Sequence, residues 1–556
     1  MPELSKNLAA VVTRLPSRLP PPVRVVEPDV GPPVAPIAPP QKLPIPKLNA
    51  GVVPTDIQRK FADFIEKHQG VGIAAHRVGQ GKTLAGIMAS LRLREKGMGG
   101  SALAVVPAAL RENFATKGVK KFTNASVGVI GTADEIAKNR DMDVSAMGRR
   151  DFYVISYDMF KKDPEKYLKA TGADTVITDE LHRAKDEDTE IHKTIERIRP
   201  SIKNFIGLTA TPAMNNPFEM VSLINAISKK KMTPGEFQKE FYERKADGFK
   251  DWFFGLFGHE KHGPIEGVKN PSALGRFIGA NYHFAPAVVD PSMPKKKVEV
   301  VKVPMSEAQT KLYKAVLQKQ LTFRERRILE RGDLLDDKVL APIINKTMAA
   351  RQLSNNAGFV TGELEPLKTP KILSALTDIE TELEKNPRGQ VVVYSQFMDN
   401  GVEVMARALE EAKIPFGLYT GRNQAERDTV KNDYNAGKIK VLLISGAGSE
   451  GLDLPNTTML SMLDGSYNPE MITQIEGRGV RRGGLAYLPA EKRVVKIKRY
   501  VSVPEDDSMS VDEKIYDIAA KKAELVKMFQ RAAESFQRKQ EARAAQAATK
   551  KPRGHD

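Results

Sequence analysis

Four short stretches of this chain carry side chains that could handle a triphosphate. The run AHRVGQGKTLAGIMA, residues 75–89, sets Gly79, Gln80, Gly81, Lys82 and Thr83 between an apolar run and a helical one. There, backbone N–H groups and a helix N-terminus would face phosphate oxygens. Lys82 would meet the β- and γ-phosphates of ATP, and the Thr83 hydroxyl would ligate Mg2+. The full phosphate-loop pattern also asks for a glycine five places before Gly81, where this chain has His76. The second stretch, TVITDELH, brings Asp179 and Glu180 to the end of an apolar strand. One carboxylate suits the metal, and the other suits orienting an attacking water. The third, GLTATP, offers the hydroxyls of Thr209 and Thr211 to the acidic loop. The fourth, QIEGRGVRR, sets Arg478 and Arg481 three apart, on one helix face. Guanidinium groups suit the charge that develops on a γ-phosphate. Taken singly, each stretch also has a plain reading: a glycine turn, a solvated acidic loop, a strand ending in a proline turn, a basic helix face.

The elements that must position these residues alternate along the chain. VGIAA, SALAVVP, DFYVISYDMF, ADTVITDE and KNFIGLTATP are short continuous apolar runs, as buried parallel strands are. Helical patterns separate them, which predicts a doubly wound α/β sheet. Thr55-Asp56 reads as a helix cap ahead of IQRKFADFIEK. The alternation breaks near Ser228 and resumes with GQVVVYSQF, KIPFGLYTG, IKVLLISG, TTMLSML and RVVKIKRYVSV. The expected organisation is a Pro-rich disordered arm over 1–50 and a first lobe over 51–228 with the phosphate loop and acidic pair. A helical insertion over 229–290 and a helical connector and second protrusion over 291–367 follow. A second lobe over 368–505 carries the arginines, and a C-terminal helix and basic tail occupy 506–556. Trp252, Phe253, Phe254 and Phe257 in the insertion read as a small core under a helical cap.

Composition narrows the function. A chain of 556 residues is too long for one core. It contains no cysteine, which excludes disulfides, thiolate catalysis and cysteine-ligated zinc and fits an intracellular protein. No apolar run reads as a membrane span, and a membrane partner is not expected. The net charge of +17 points to a polyanion, because neutralising phosphates releases condensed counterions.

With these motifs in order, the chain resembles the superfamily-two helicase core, two RecA-like lobes that clamp ATP. More narrowly it resembles the SWI/SNF-related ATPases, which are double-stranded DNA translocases. The resemblance covers residues 52–500. HRVGQGKT is similar to that family's phosphate loop, which also lacks the first glycine. DELHRAK is similar to its acidic box, with Leu181 in place of alanine, and GLTATPAMNN to its coupling motif. MPKKKVEVVKVPMSEAQTKLY, residues 293–313, resembles the stretch that follows the family's first lobe. By that resemblance Gln58 contacts adenine, and Gly451 and Asp453 of SGAGSEGLDL join the nucleotide set. His182, Thr209, Thr211 and Gln474 couple the site to movement. Pro107, Ser156, Ser395, Gln396, Thr420, Gly421 and Ser445 meet the nucleic acid. Glu450 replaces a leucine of the family at the last of these segments.

The resemblance implies an α/β fold of two RecA-like parallel-sheet lobes with helical insertions and disordered termini. It implies ATP and Mg2+ as cofactors and hydrolysis coupled to stepping along duplex DNA, with Lys82 of one lobe and Arg478 and Arg481 of the other sharing one triphosphate. Competing readings are a strand-separating DNA or RNA helicase and a scaffold switched by bound nucleotide. A protein partner at the Pro-rich arm or basic tail is compatible with the sequence. So compact a core suits a bacterial or phage-infected cytoplasm, or a nucleus in a eukaryote. Oligomeric state has no signal in the sequence.

Overall fold

The computed structural model describes residues 45–77, 79–138, 142–213, 216–229, 231–245, 264–286, 292–358, 369–423, 426–446, 454–480 and 483–549. The Pro-rich arm up to residue 44, the aromatic run containing Trp252 to Phe257, Gly451, Asp453, Arg481 and the basic tail lie outside them. The chain divides into two compact units.

The first unit contains the described chain up to Arg244, then residues 266–286 and the C-terminal helix from Glu524. Its strands are β1 (Val71–Ala75), β2 (Ala102–Val106), β3 (Val127–Val129), β4 (Phe152–Ser156), β5 (Thr175–Asp179) and β6 (Asn204–Thr209). A ribbon of β7 (Tyr242–Arg244) and β8 (Ile265–Val268) follows, then β9 (Tyr282–Phe284). The sheet runs β3-β4-β2-β5-β6-β1-β9, and every pairing in it is parallel. Strands β2, β4, β5 and β6 are buried along their whole length. That is why they read as unbroken apolar runs rather than alternating ones. Helices Asp56–Lys67 and Lys82–Glu95 bring Phe61, Ile65, Ala85, Ile87 and Leu91 onto one face of the sheet. Thr55 caps the first of these helices in a capping box with Gln58. Between residues 229 and 290 the described chain forms helices Pro234–Phe241 and Pro271–Gly279 as well as β7, β8 and β9.

The second unit takes in Val288–Ala523. Its strands are β10 (Lys295–Pro304), β11 (Gln390–Tyr394), β12 (Phe416–Tyr419), β13 (Val441–Ile444), β14 (Thr457–Met462) and β15 (Val494–Val503), in the order β10-β15-β14-β11-β13-β12, all parallel. Alternate residues of β11 enter two separate cores. Val392 and Tyr394 join one with Leu442, Ile444 and Leu460, and Val391 and Val393 join the other with Val441, Leu443 and Met459. A sheet covered on both faces is the doubly wound arrangement. The expected α/β, two-lobed RecA-like architecture is the one the chain adopts. The last helix spans Val511–Thr549. Among the described residues no helix is long and apolar enough to cross a membrane.

Candidate active site

Strand register in the first unit gathers three of the four sequence motifs at one sheet edge. Ala75 of β1 pairs with Thr209 of β6, and Leu208 pairs with Asp179 of β5. The glycine loop, the acidic pair and the Thr209-Thr211 turn therefore leave adjacent strands at their carboxyl ends, where open α/β sheets bind ligands.

Helix Lys82–Glu95 begins directly after Gly81, which is left-handed at φ 72° and offers no side-chain cap. Gly79 is also left-handed, at φ 85°. A Cβ at Gly81 would run into the Gln58 amide, whose Nε2 donates to the Gly81 carbonyl at 3.2 Å. Gln58 is buried and braces the loop from the preceding helix. Gln80 is fixed through its side chain: it accepts from the Arg77 N–H at 2.7 Å and donates to the Pro286 carbonyl at 3.0 Å. The result is an uncapped helix start held in a set shape, with Lys82 and Thr83 in its first turn. Lys82 forms no ion pair among the described residues, yet its charge lowers the pKa of both Asp179 and Glu180.

The two carboxyls are pulled apart. Burial, then the adjacent Glu180 charge, pushes Asp179 up to about 6. Burial also raises Glu180, but the His182 hydrogen bond and the charges of Lys82, His182 and Arg183 outweigh it and hold that carboxyl below its usual value. Glu180 is left-handed at φ 56°, a strained backbone for a residue with a side chain. His182 Nδ1 lies 3.2 Å from Glu180 Oε2 and 3.4 Å from Thr209 Oγ1. The Thr209 hydroxyl accepts from the Thr211 N–H at 3.1 Å, and the Thr211 hydroxyl is buried with no partner among the described residues. Tyr157 Oη donates to the Asp179 carbonyl at 2.7 Å. Lys82, Asp179, Glu180, His182, Thr209 and Thr211 thus form one constellation. The loop amides, Lys82 and the Thr83 hydroxyl fit a triphosphate, and the oxygens of Thr83 and Asp179 are of the kind a hard cation takes.

A buried histidine pair beneath the loop has no signal in the sequence. His76 stands where the full loop pattern has glycine, and its Nε2 lies 2.8 Å from Nδ1 of His283 on β9. Both rings are buried, and Phe61 packs edge-on against His76. Burial and the neighbouring His283 push His76 down to about 3, and burial pushes His283 down to about 4. Unfolded, both titrate near 6.5. The unfolded chain therefore binds up to two more protons than the folded one between about pH 6.5 and 4. The pair costs no stability above that window, and stability falls with pH inside it by up to about 2.7 kcal/mol per pH unit. In urea unfolding from pH 7 to 4, the double variant His76→Gln, His283→Gln should show a shallower pH slope, by up to two protons. Coincident slopes would show that the pair does not titrate in this way.

The second unit positions the remaining residues. Gln474 and Arg478 sit one turn apart on helix Pro469–Gly479, with Gln474 exposed and Arg478 half-buried. Ser395 is buried and bonds its hydroxyl to Asp464, whose Oδ2 also accepts from the Gln396 N–H at 3.0 Å. Asn355 Nδ2 donates to Asp464 Oδ1 at 2.5 Å. The Lys371 ammonium, with its side chain fully buried, reaches Asp512 Oδ2 at 2.6 Å, Asn355 Oδ1 at 3.0 Å, Ser354 Oγ at 3.1 Å and the Leu463 carbonyl at 3.2 Å. Arg351 donates to the Gly465 carbonyl at 2.6 Å. Thr420 is bonded to Asn423 through both its N–H and its hydroxyl, and the Ser445 hydroxyl is buried with no partner among the described residues. In the first unit, Pro107 precedes a short 3-10 turn and Ser156 caps a short helix at the ends of β2 and β4.

Two parallel-sheet lobes, one with a phosphate-loop turn beside an acidic strand end, define an ATPase of helicase type. Residues 58–359, more than half the chain, match the SNF2-related domain, and residues 371–483 match the helicase conserved C-terminal domain. The chain belongs to the SNF2-related family and is a nucleic-acid-dependent ATPase. It is 26% identical over 482 residues to a protein of Acanthamoeba polyphaga mimivirus carried under the name ATP-dependent RNA helicase L538, covering 84% of this chain and 94% of that one. It is 25% identical over 462 residues to the ISWI chromatin-remodeling complex ATPase CHR11 of Arabidopsis thaliana, covering 82% of this chain but only 40% of that longer protein. Among solved structures it is similar to the Sulfolobus solfataricus SWI2/SNF2 ATPase core in complex with dsDNA, at 18% identity and TM-score 0.35, covering 81% of this chain and 88% of that one.

Proposed function

We propose that this ATPase is a motor that tracks duplex DNA without parting its strands. The observation that carries the reading is the single sheet edge bearing the uncapped Lys82 loop, the split Asp179-Glu180 pair and the His182-Thr209 link. Lys82 and the loop amides hold the β- and γ-phosphates. Glu180 orients and polarises the attacking water, and its low pKa keeps it ionised for that task. Thr83 and Asp179 would hold Mg2+, whose chemistry when bound is to neutralise charge on the phosphates. Gln58, already against the loop, contacts adenine. Arg478 and Arg481 are assigned to charge on the γ-phosphate. His182 and Thr209 relay the state of Glu180 to the turn that follows β6. The net charge of +17 supports a polyanionic track, and contacts to phosphates need no base sequence.

The mimivirus relative is named for RNA, and this chain spans nearly all of it, so RNA is the second reading. ATPase rates with no nucleic acid, duplex DNA, single-stranded DNA and RNA separate the two. Duplex DNA should stimulate at least about tenfold more than RNA, and the enzyme should displace a third strand from a triplex while leaving a forked duplex paired. Stimulation by RNA alone, with unwinding of an RNA duplex, would replace this reading with the other.

A further inference from the structure

Helix Phe323–Arg331 does little to fill a core. Its sequence FRERRILER holds four arginines and two glutamates, and Leu329 is its one buried residue. It is nonetheless firmly made. Thr322 and Glu325 form a capping box, Lys346 pairs with Glu325 at 2.6 Å, and Gly332 closes the helix in the left-handed conformation at φ 60°. The outward side presents Phe323, Arg324, Arg327, Glu330 and Arg331, all exposed.

Arg324, Arg327 and Arg331 are three and four residues apart, so they share one face and span about 10 Å of helix. Among the described residues none of the three forms an ion pair. Arg327 lies over the ring of Phe323, 5.6 Å from its centroid, and that ring is 68% exposed. Like charges one turn apart repel, and Glu330 only partly offsets them. A rigid face of unpaired guanidiniums at this spacing complements a phosphate backbone, which carries one charge per about 1.7 Å of duplex axis. Arginine's planar fork suits phosphate oxygens.

We propose that the Arg324-Arg327-Arg331 face of this helix is a nucleic-acid grip that binds the phosphodiester backbone of the duplex on which the ATPase acts. It rests on the duplex reading given above. It adds affinity for the track.

The test is fluorescence anisotropy with a mixed-sequence 30-base-pair DNA duplex, titrated without nucleotide from about 50 to 200 mM KCl. The full chain is compared with the triple variant Arg324→Gln, Arg327→Gln, Arg331→Gln. These positions are exposed, so the variant should fold. At 150 mM salt its Kd should rise at least about tenfold, and the slope of log K against log salt should become shallower by about 2 to 3, near 0.9 per phosphate lost. ATPase without nucleic acid, and the rate at saturating duplex, should stay at the native values. Glu330→Gln should bind two- to threefold tighter. An unchanged Kd and slope would overturn the grip, as would a weaker Kd with the native slope or weaker binding by Glu330→Gln. If the native chain binds RNA and not duplex DNA, the duplex reading fails on its own. The same variants on RNA then decide the grip, with a slope change of about 0.7 per phosphate on a single strand.

Discussion

Glu180→Gln should bind ATP within a few-fold of the native affinity and turn it over about 10²- to 10⁴-fold more slowly in the presence of nucleic acid. The substitution keeps the size of the side chain and can still bond to His182, which lies 3.2 Å from Glu180 Oε2. What it removes is an anion that can polarise water. The environment is arranged to keep that anion: the His182 hydrogen bond and the charges of Lys82, His182 and Arg183 outweigh burial and hold Glu180 below its usual pKa. Its backbone is left-handed at φ 56°, and such strain persists where the surroundings fix it. Asp179 differs in kind. Burial and the Glu180 charge push it up to about 6, and a bound cation would draw it back down. Single-turnover hydrolysis and equilibrium binding of a fluorescent ATP analogue check the result. Lys82→Ala should instead weaken binding itself, because Lys82 would touch the phosphates directly. Turnover by Glu180→Gln within threefold of native would move the water-orienting role elsewhere.

The parts of this site legible in the sequence were those written in one continuous stretch. A glycine loop between a strand and a helix, and two acids ending an apolar run, announce themselves because buried parallel strands have no polar face to interrupt them. The sheet order then brought β1, β5 and β6 together, as their common edge required. Illegible features depended on distant partners. β9 is three residues long and lies within a stretch read as a helical insertion, yet it lines the sheet beside β1. β10 is mostly exposed along KKKVEVVKVP, so charge conceals a ten-residue strand paired with β15. His76 looked like a tolerated departure from glycine. Its explanation is His283, 207 positions away, whose ring fills the space beside it. Helix Val511–Thr549 was visible as a helical pattern, but nothing local marks Asp512 as the partner of a lysine 141 residues earlier.

That lysine carries the largest stability effect expected outside the ATP site. Lys371 opens a helix as an ordinary surface residue would, yet its side chain is fully buried against Asp512, itself only 5% exposed. Asp512 Oδ2 also accepts from the Ser502 N–H at 3.1 Å, so the backbone as well as the ammonium supports this carboxyl group. Lys371→Met keeps the apolar stem and removes the charge. It leaves Asp512 buried without its cation and strips a donor from Asn355 and the Leu463 carbonyl. Breaking a buried pair from one side costs about 3–5 kcal/mol. In a unit of this size that corresponds to a fall of roughly 10 °C in its melting transition. Replacing both partners, Lys371→Met with Asp512→Leu, should recover most of the loss, because a buried ion pair is often no better than apolar side chains of similar volume. The two variants differ in a second way. Asn355 bridges Lys371 to Asp464, and Asp464 fixes Ser395 and the Gln396 N–H. The double variant should therefore melt near the native temperature and still need several-fold more nucleic acid for half-maximal ATPase, with the basal rate unchanged. Calorimetry and a nucleic-acid titration of ATPase on the same samples separate the two effects. A double variant as unstable as the single one would show that the cluster contributes packing shape rather than charge. One with native stability and native half-saturation would show that Asp464 holds the Ser395 segment without help from Lys371.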